Sequence, residues 1–136
     1  MSSTMNNGDA ETRNLEKITL SGYKSIRGAE LALGPVNILI GANGSGKSNF
    51  ISVFSLFNAL AQGKLQSWVK RNGGAERLLH FSSRTTDSAV IDLAFADDGY
   101  HVELKKEIND NTVFVDSEFY RPGPSAPPVG FAREKR

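Results

Sequence analysis

The sequence predicts an α/β fold, and three observations carry that reading. A short uncharged run, Val36-Asn37-Ile38-Leu39-Ile40, leads directly into a glycine-rich loop, Gly41-Ala42-Asn43-Gly44-Ser45-Gly46-Lys47-Ser48. Apolar residues then recur at helical spacing, at Phe50, Val53, Phe54, Phe57 and Leu60. Beyond residue 88, three alternating runs are separated by the turn signals Asp97-Asp98-Gly99 and Asn109-Asp110-Asn111, the pattern of an antiparallel meander. The expected architecture is a strand–loop–helix unit with strands before and after it. Its C-terminal side is a largely antiparallel sheet.

In chain order, Met1–Asn14 is polar and aperiodic, and disorder is expected there. Leu15–Leu20 sets Ile18 and Leu20 on one face and reads as a strand. Gly22–Gly28 reads as a glycine-bounded connection, Ala29–Leu33 as a second strand and Gly34-Pro35 as a turn. Val36–Ile40 reads as a third strand, buried on both faces. The next helix should run from Gly46 to Ala61 and stop at Gly63. Its apolar positions spread widely, so burial on more than one side is expected. Lys64–Val69 reads as a short helix carrying Trp68, Lys70–Gly74 as a basic loop, Ala75–His80 as a short helical piece and Ser82–Asp87 as a polar turn. The meander strands are Ala89–Phe95, Tyr100–Ile108 and Thr112–Tyr120. Arg121–Arg136 holds four of the chain's five prolines and reads as a disordered or polyproline basic tail. One domain over residues 15–120 is therefore expected, between a disordered N-terminus (1–14) and the tail (121–136).

Composition narrows the function classes. The 136 residues carry a formal net charge of +1 and no cysteine. The near-zero charge provides no overall field toward nucleic acid or an acidic partner. Without cysteine there are no disulfides and little basis for a zinc site, which suits a cytoplasmic protein. No run approaches the length of a membrane-spanning helix, and Met1–Asn14 lacks the apolar centre of a secretory signal. No membrane partner is expected.

The loop carries the chemistry. Gly41 to Ser48 fits G-x-x-x-x-G-K-[ST], a phosphate-binding loop. Its glycines allow a tight turn that aims backbone N–H groups inward, and the helix N-terminus adds to the anion site. Lys47 can reach β- and γ-phosphates, and the Ser48 hydroxyl can ligate Mg²⁺.

The run from Ile18 to Phe54, ITLSGYKSIRGAELALGPVNILIGANGSGKSNFISVF, resembles the N-terminal lobe of SMC/RecF-like ATPases of the ABC type, including bacterial proteins of the "AAA family". Those share a first strand, a G-[FY]-[KR]-S-[IF] segment (here Gly22 to Ile26), a second strand and a G-x-N-G-[SA]-G-K-S-N loop (here Gly41 to Asn49). The resemblance implies ATP and Mg²⁺ as cofactors and contacts from Gly41 through Asn49. It sets Lys24, Ser25 and Arg27 close to the nucleotide. It implies that one of Arg71, Arg77 and Arg84 touches ATP, and no motif selects among them. It also implies a second ATPase half or head as partner, and DNA as a target, since relatives act in DNA repair, chromosome organisation and phage defence.

Hydrolysis in such ATPases needs an apolar strand ending in Asp-Glu, a γ-phosphate-sensing glutamine and a signature loop from a second head. None is clear here. Leu20-Ser21-Gly22 only mimics a signature, and Ser88–Asp92 only imitates the acidic strand. Gln62 and Gln66 lie too close behind the loop helix to be the sensor. Val113 to Glu118 could bring Asp116 toward Mg²⁺; the plainer reading turns Asp116 to solvent. His80 and His101 read as isolated residues with surface or packing roles. Three functions stay open at this point: an ATP-binding half that works with a second chain, a complete small ATPase using Asp116, and a non-enzymatic remnant.

Overall fold

The computed structural model describes residues 14–42, 44, 46–80, 87–123 and 125–130. The expected disorder of residues 1–13 and 131–136, and most of the polar turn before Asp87, lie outside them.

Among the described residues six strands form one sheet in the order β2-β1-β3-β4-β5-β6, with every neighbouring pair antiparallel. β1 (Leu15–Tyr23) and β2 (Ile26–Ala32) make a hairpin. Tyr23 pairs with Ile26, so the turn is only Lys24-Ser25, and Lys24 takes a φ of 48°. The strands thus run through the stretch expected to be a loop.

The helices described next are α1 (Lys47–Ala61), α2 (Leu65–Arg71) and α3 (Ala75–Leu78). α1 ends where expected. Gly63, at φ 66°, donates its N–H to Leu60 O, and Lys64 N–H reaches Ala59 O at 2.8 Å. These are the two bonds of a Schellman stop, which a left-handed glycine permits.

The chain then returns to the sheet as β3 (Ser88–Phe95), β4 (Gly99–Lys106) and β5 (Val113–Arg121), the expected meander. β3 pairs with β1, with Leu20 opposite Ile91. Alternation places Ile18, Leu20, Ile91, Val102 and Leu104 on the inner face, where all are fully buried. Phe50, Val53, Leu56 and Leu60 of α1 and Leu65, Trp68 and Val69 of α2 complete one core with them. A further strand, β6 (Val129–Gly130), pairs with Phe119 and Tyr120 of β5, inside the stretch read as a tail.

Two expectations are corrected. Val36–Ile40 forms no strand. Val36, Ile38 and Ile40 are 83%, 80% and 90% exposed. Apolar content marks a segment that can be buried, but burial needs a neighbour. Among the described residues the sheet runs from β2 to β6, and neither edge strand pairs with Val36–Ile40. α1 is also buried on one side only, leaving Ile51 and Phe54 exposed.

Candidate nucleotide-binding site

The loop is held at its entry by a reciprocal clasp. Gly34 N–H donates to Asn37 Oδ1, and Asn37 Nδ2 donates to Gly34 O, both at 2.9 Å. Gly44 and Gly46 take φ values of 82° and 96°, left-handed backbone that side chains resist. Gly46 is the N-cap of α1. Among the described residues no side chain caps that helix, and its first turn carries no acidic residue. The N–H groups at its start are therefore open to an anion.

Lys47 opens α1, and its ammonium donates to the carbonyls of Gly41 and Ala42. The cation thus folds back over its own loop. Ser48 is exposed and follows at the second helical position. Asn43 and Ser45 lie outside the described residues.

The β1–β2 turn is brought to this site by one residue. Ser25 Oγ accepts from Asn49 Nδ2 at 2.6 Å. A Cβ at Gly46 would lie 3.5 Å from the same oxygen. Ser25, Gly46 and Asn49 therefore form one cluster at the head of α1.

Lys24 points elsewhere. Its Nζ lies 5.3 Å from the Trp68 ring centroid and 5.7 Å from that of Tyr23, a cation–π arrangement. Burial holds its ammonium pKa below the usual lysine value. Its carbonyl accepts from His80 Nδ1 at 2.9 Å. His80 is itself 5% exposed, in keeping with a packing role.

Arg27 lies exposed on β2. Arg71 donates to Ser67 O within α2, Arg77 packs beside Gly73, and Arg84 is outside the described residues.

Asp116 sits on the outer face of the sheet, paired with Lys105 at 2.9 Å. Lys105 follows the buried Leu104, so it faces away from the helices. A register shift between Glu103 and Leu104 brings Asp116 and Ser117 together on that face. The sheet therefore separates Asp116 from α1 and Lys47.

One arrangement was not legible in the sequence. His101 Nδ1 lies 2.6 Å from Asp92 Oδ1, His101 Nε2 lies 3.2 Å from Ser117 Oγ, and the imidazole stacks on Phe119 with centroids 4.6 Å apart. His101 is thus not isolated. The available signal was register: Asp92, His101 and Phe119 are direct neighbours on three successive strands. The chain of bonds orients the imidazole. Among the described residues no group of three His, Cys, Asp or Glu could hold a metal ion. No helix there is long and apolar enough to cross a membrane.

The chain is 30% identical over 80 residues to the DNA double-strand break repair Rad50 ATPase of Saccharolobus solfataricus, covering 57% of this chain and 9% of that protein. It is 36% identical over 87 residues to urease accessory protein 2 of Cryptococcus neoformans, covering 60% of this chain and 7% of that protein. The chain thus spans less than a tenth of the length of these curated relatives. No solved structure matches it. A family model described as an AAA ATPase domain matches residues 14–123, which take in the loop, the three helices and the meander. An ATPase-type nucleotide-binding function goes with that match, and the chain belongs to the AAA ATPase domain family.

Proposed function

We propose that the chain binds Mg-ATP through Gly41–Ser48 as part of an SMC/RecF-like ATPase head, and that hydrolysis requires a second half or head. The observation that carries this reading is the head of α1. Two left-handed glycines, an uncapped helix start, Lys47 and the exposed Ser48 converge there. The donor set fits a triphosphate: backbone N–H groups and an ammonium for the oxygens, and a hydroxyl for Mg²⁺. Ser25 and Asn49 brace the loop from the hairpin side.

Binding requires Lys47 to exchange the carbonyls of Gly41 and Ala42 for phosphate oxygens. When bound, Mg²⁺ would neutralise charge developing on the phosphates. Positioning the attacking water is a separate requirement, and no described residue near Lys47 serves it. Asp116 does not, because the sheet lies between it and α1. A partner chain supplying an acidic strand and a signature loop completes the reading. The Rad50 relative's name adds DNA repair as the process to examine first, in a cytoplasmic setting.

The test is titration with Mg-ATP by calorimetry. Lys47→Ala removes a charge-assisted contact worth roughly 1.5–3 kcal/mol, a loss of about one to two decades in affinity. Ser48→Ala should weaken binding only when Mg²⁺ is present. Equal ATP affinity in wild type and Lys47→Ala would overturn the assignment.

A further inference from the structure

The tip of the β1–β2 hairpin is pinned from behind, on the side away from α1. Lys24 donates its N–H to Leu78 O at 2.7 Å, and His80 donates its N–H to Gly22 O at 2.9 Å. These two bonds make Tyr23 and Leu79 a bridged pair. The His80 side chain adds a third tie, since its Nδ1 lies 2.9 Å from Lys24 O. A carbonyl only accepts, so Nδ1 carries the proton in this bond. Tyr23, Leu78, Leu79 and His80 are all buried, which shields the ties from water. Ser25 follows directly and so stands on a fixed post.

α1 takes its position from that post through two side-chain bonds. Asn49 Nδ2 donates to Ser25 Oγ at 2.6 Å. Ser52 Oγ donates to Asn49 O at 2.7 Å, so its proton is used and the Tyr23 hydroxyl, 2.6 Å away, donates to Ser52. Asn49 is thus held by its amide and by its carbonyl. It is the third residue of α1, directly after Lys47 and Ser48, and Phe50 N–H closes the same turn on Gly46 O at 2.9 Å. Fixing Asn49 therefore fixes the direction of the N–H groups at the head of the helix. Donors already in place bind an anion more tightly, because binding no longer has to order them.

We propose that Ser25 and His80 are positioning residues for the phosphate loop: His80 sets the hairpin tip, and Ser25 passes that position to α1 through Asn49. The proposal rests on the Mg-ATP reading above and deepens it. The loop then depends on a buried histidine that lies beyond α3 in the chain.

Mg-ATP calorimetry on the full chain tests it, at a temperature well below the melt of every variant. Ser25→Ala and Asn49→Ala should each weaken binding about three- to tenfold, the equivalent of one hydrogen bond. The double variant should be no weaker than either single one, because both remove the same bond. Ser25→Thr keeps the hydroxyl and should restore wild-type affinity. His80→Asn puts an amide N–H where Nδ1–H stood and should stay within about twofold of wild type. His80→Leu removes that donor and should lose about three- to tenfold; if it does not fold, the Ser25–Asn49 cycle still decides. Additive losses in the double variant would make Ser25 a direct ligand of the nucleotide and overturn the positioning role. Equal affinity in wild type and Ser25→Ala does the same, as does equal affinity in folded His80→Asn and His80→Leu. Wild type that binds no Mg-ATP overturns both readings, whereas binding that needs Lys47 but ignores Ser25 and Asn49 overturns this one alone.

Discussion

Tyr23→Phe should invert its effect on stability as pH rises. Tyr23 ends β1 and is fully buried. Its hydroxyl lies 2.6 Å from Ser52 Oγ on α1, and Ser52 in turn donates to Asn49 O at 2.7 Å. Burial pushes the phenol pKa up from 10.0 to about 12, against the smaller opposing effect of the Ser52 hydrogen bond. Near pH 7 the phenol is neutral in both folded and unfolded chains. The substitution then costs only the hydrogen bond, about 1 kcal/mol. Above pH 10 the unfolded chain releases the proton while the folded chain retains it. The unfolded state binds fewer protons, so stability falls with pH until about pH 12. At one unit above the unfolded pKa the loss is about 1.4 kcal/mol. The phenylalanine variant has no such loss. Wild type should therefore lead by about 1 kcal/mol at neutral pH and trail by a few tenths near pH 11. Urea unfolding of both proteins between pH 7 and 11 measures this, and titration of other groups cancels in the difference. A wild-type advantage that stays constant across that range would refute the reasoning.

Other expectations concern the backbone and the catalytic reading. Gly74 takes φ 81° and ψ −177° at the start of α3, and a Cβ there would collide with Asn111, whose carbonyl and Oδ1 accept from Ala75 and Glu76. Gly74→Ala should cost about 2–4 kcal/mol through strain and a lost cap. Gly63→Ala, in open space at φ 66°, should cost only about 1–2 kcal/mol in the same denaturant assay. Asp116→Ala should leave ATP affinity unchanged in calorimetry and stability within about 1 kcal/mol, the range of half-exposed ion pairs. Alone, the chain should turn over ATP well below an ordinary enzyme rate of about 1 per second, by a coupled phosphate-release assay. Activity should appear only when a partner half is added, and should then depend on Lys47 and not on Asp116.

The meander was legible because alternation and turn residues are local signals. Val102 and Leu104 point inward and His101 and Glu103 outward by the period of the chain alone. The loop motif is likewise a local signal, since Gly44, Gly46 and Lys47 stand within a few residues of one another. Three features were not legible. Val36–Ile40 has the composition of a buried strand, but whether it is buried depends on what lies beside it. Lys24 and Ser25 are adjacent in sequence, yet only Ser25 meets α1, because the two-residue turn and the φ of Lys24 send the ammonium to Trp68. The Asp92–His101–Ser117 chain spans three strands and follows from pairing register and a bulge, which no single segment encodes.

The pairing of β1 with β3 has a consequence for how the chain folds. The β1–β2 hairpin and the β3–β4–β5 meander are each built from neighbours in sequence, and isolated hairpins form in roughly 1–10 µs. The seam between them joins Leu20 to Ile91 with all three helices in the intervening chain. Its closure entropy comes due before its contacts form, so the seam sets the refolding rate. α1 can shorten that search, since Asn49 binds Ser25 at the tip of the first hairpin while Phe57 meets Tyr100 of the meander, centroids 5.5 Å apart. A chain with both strand units formed and the seam open exposes Ile18, Leu20 and Ile91 on two unpaired edges. That intermediate is the species most prone to aggregate during refolding, and a ligand held at the head of α1 would shorten its lifetime.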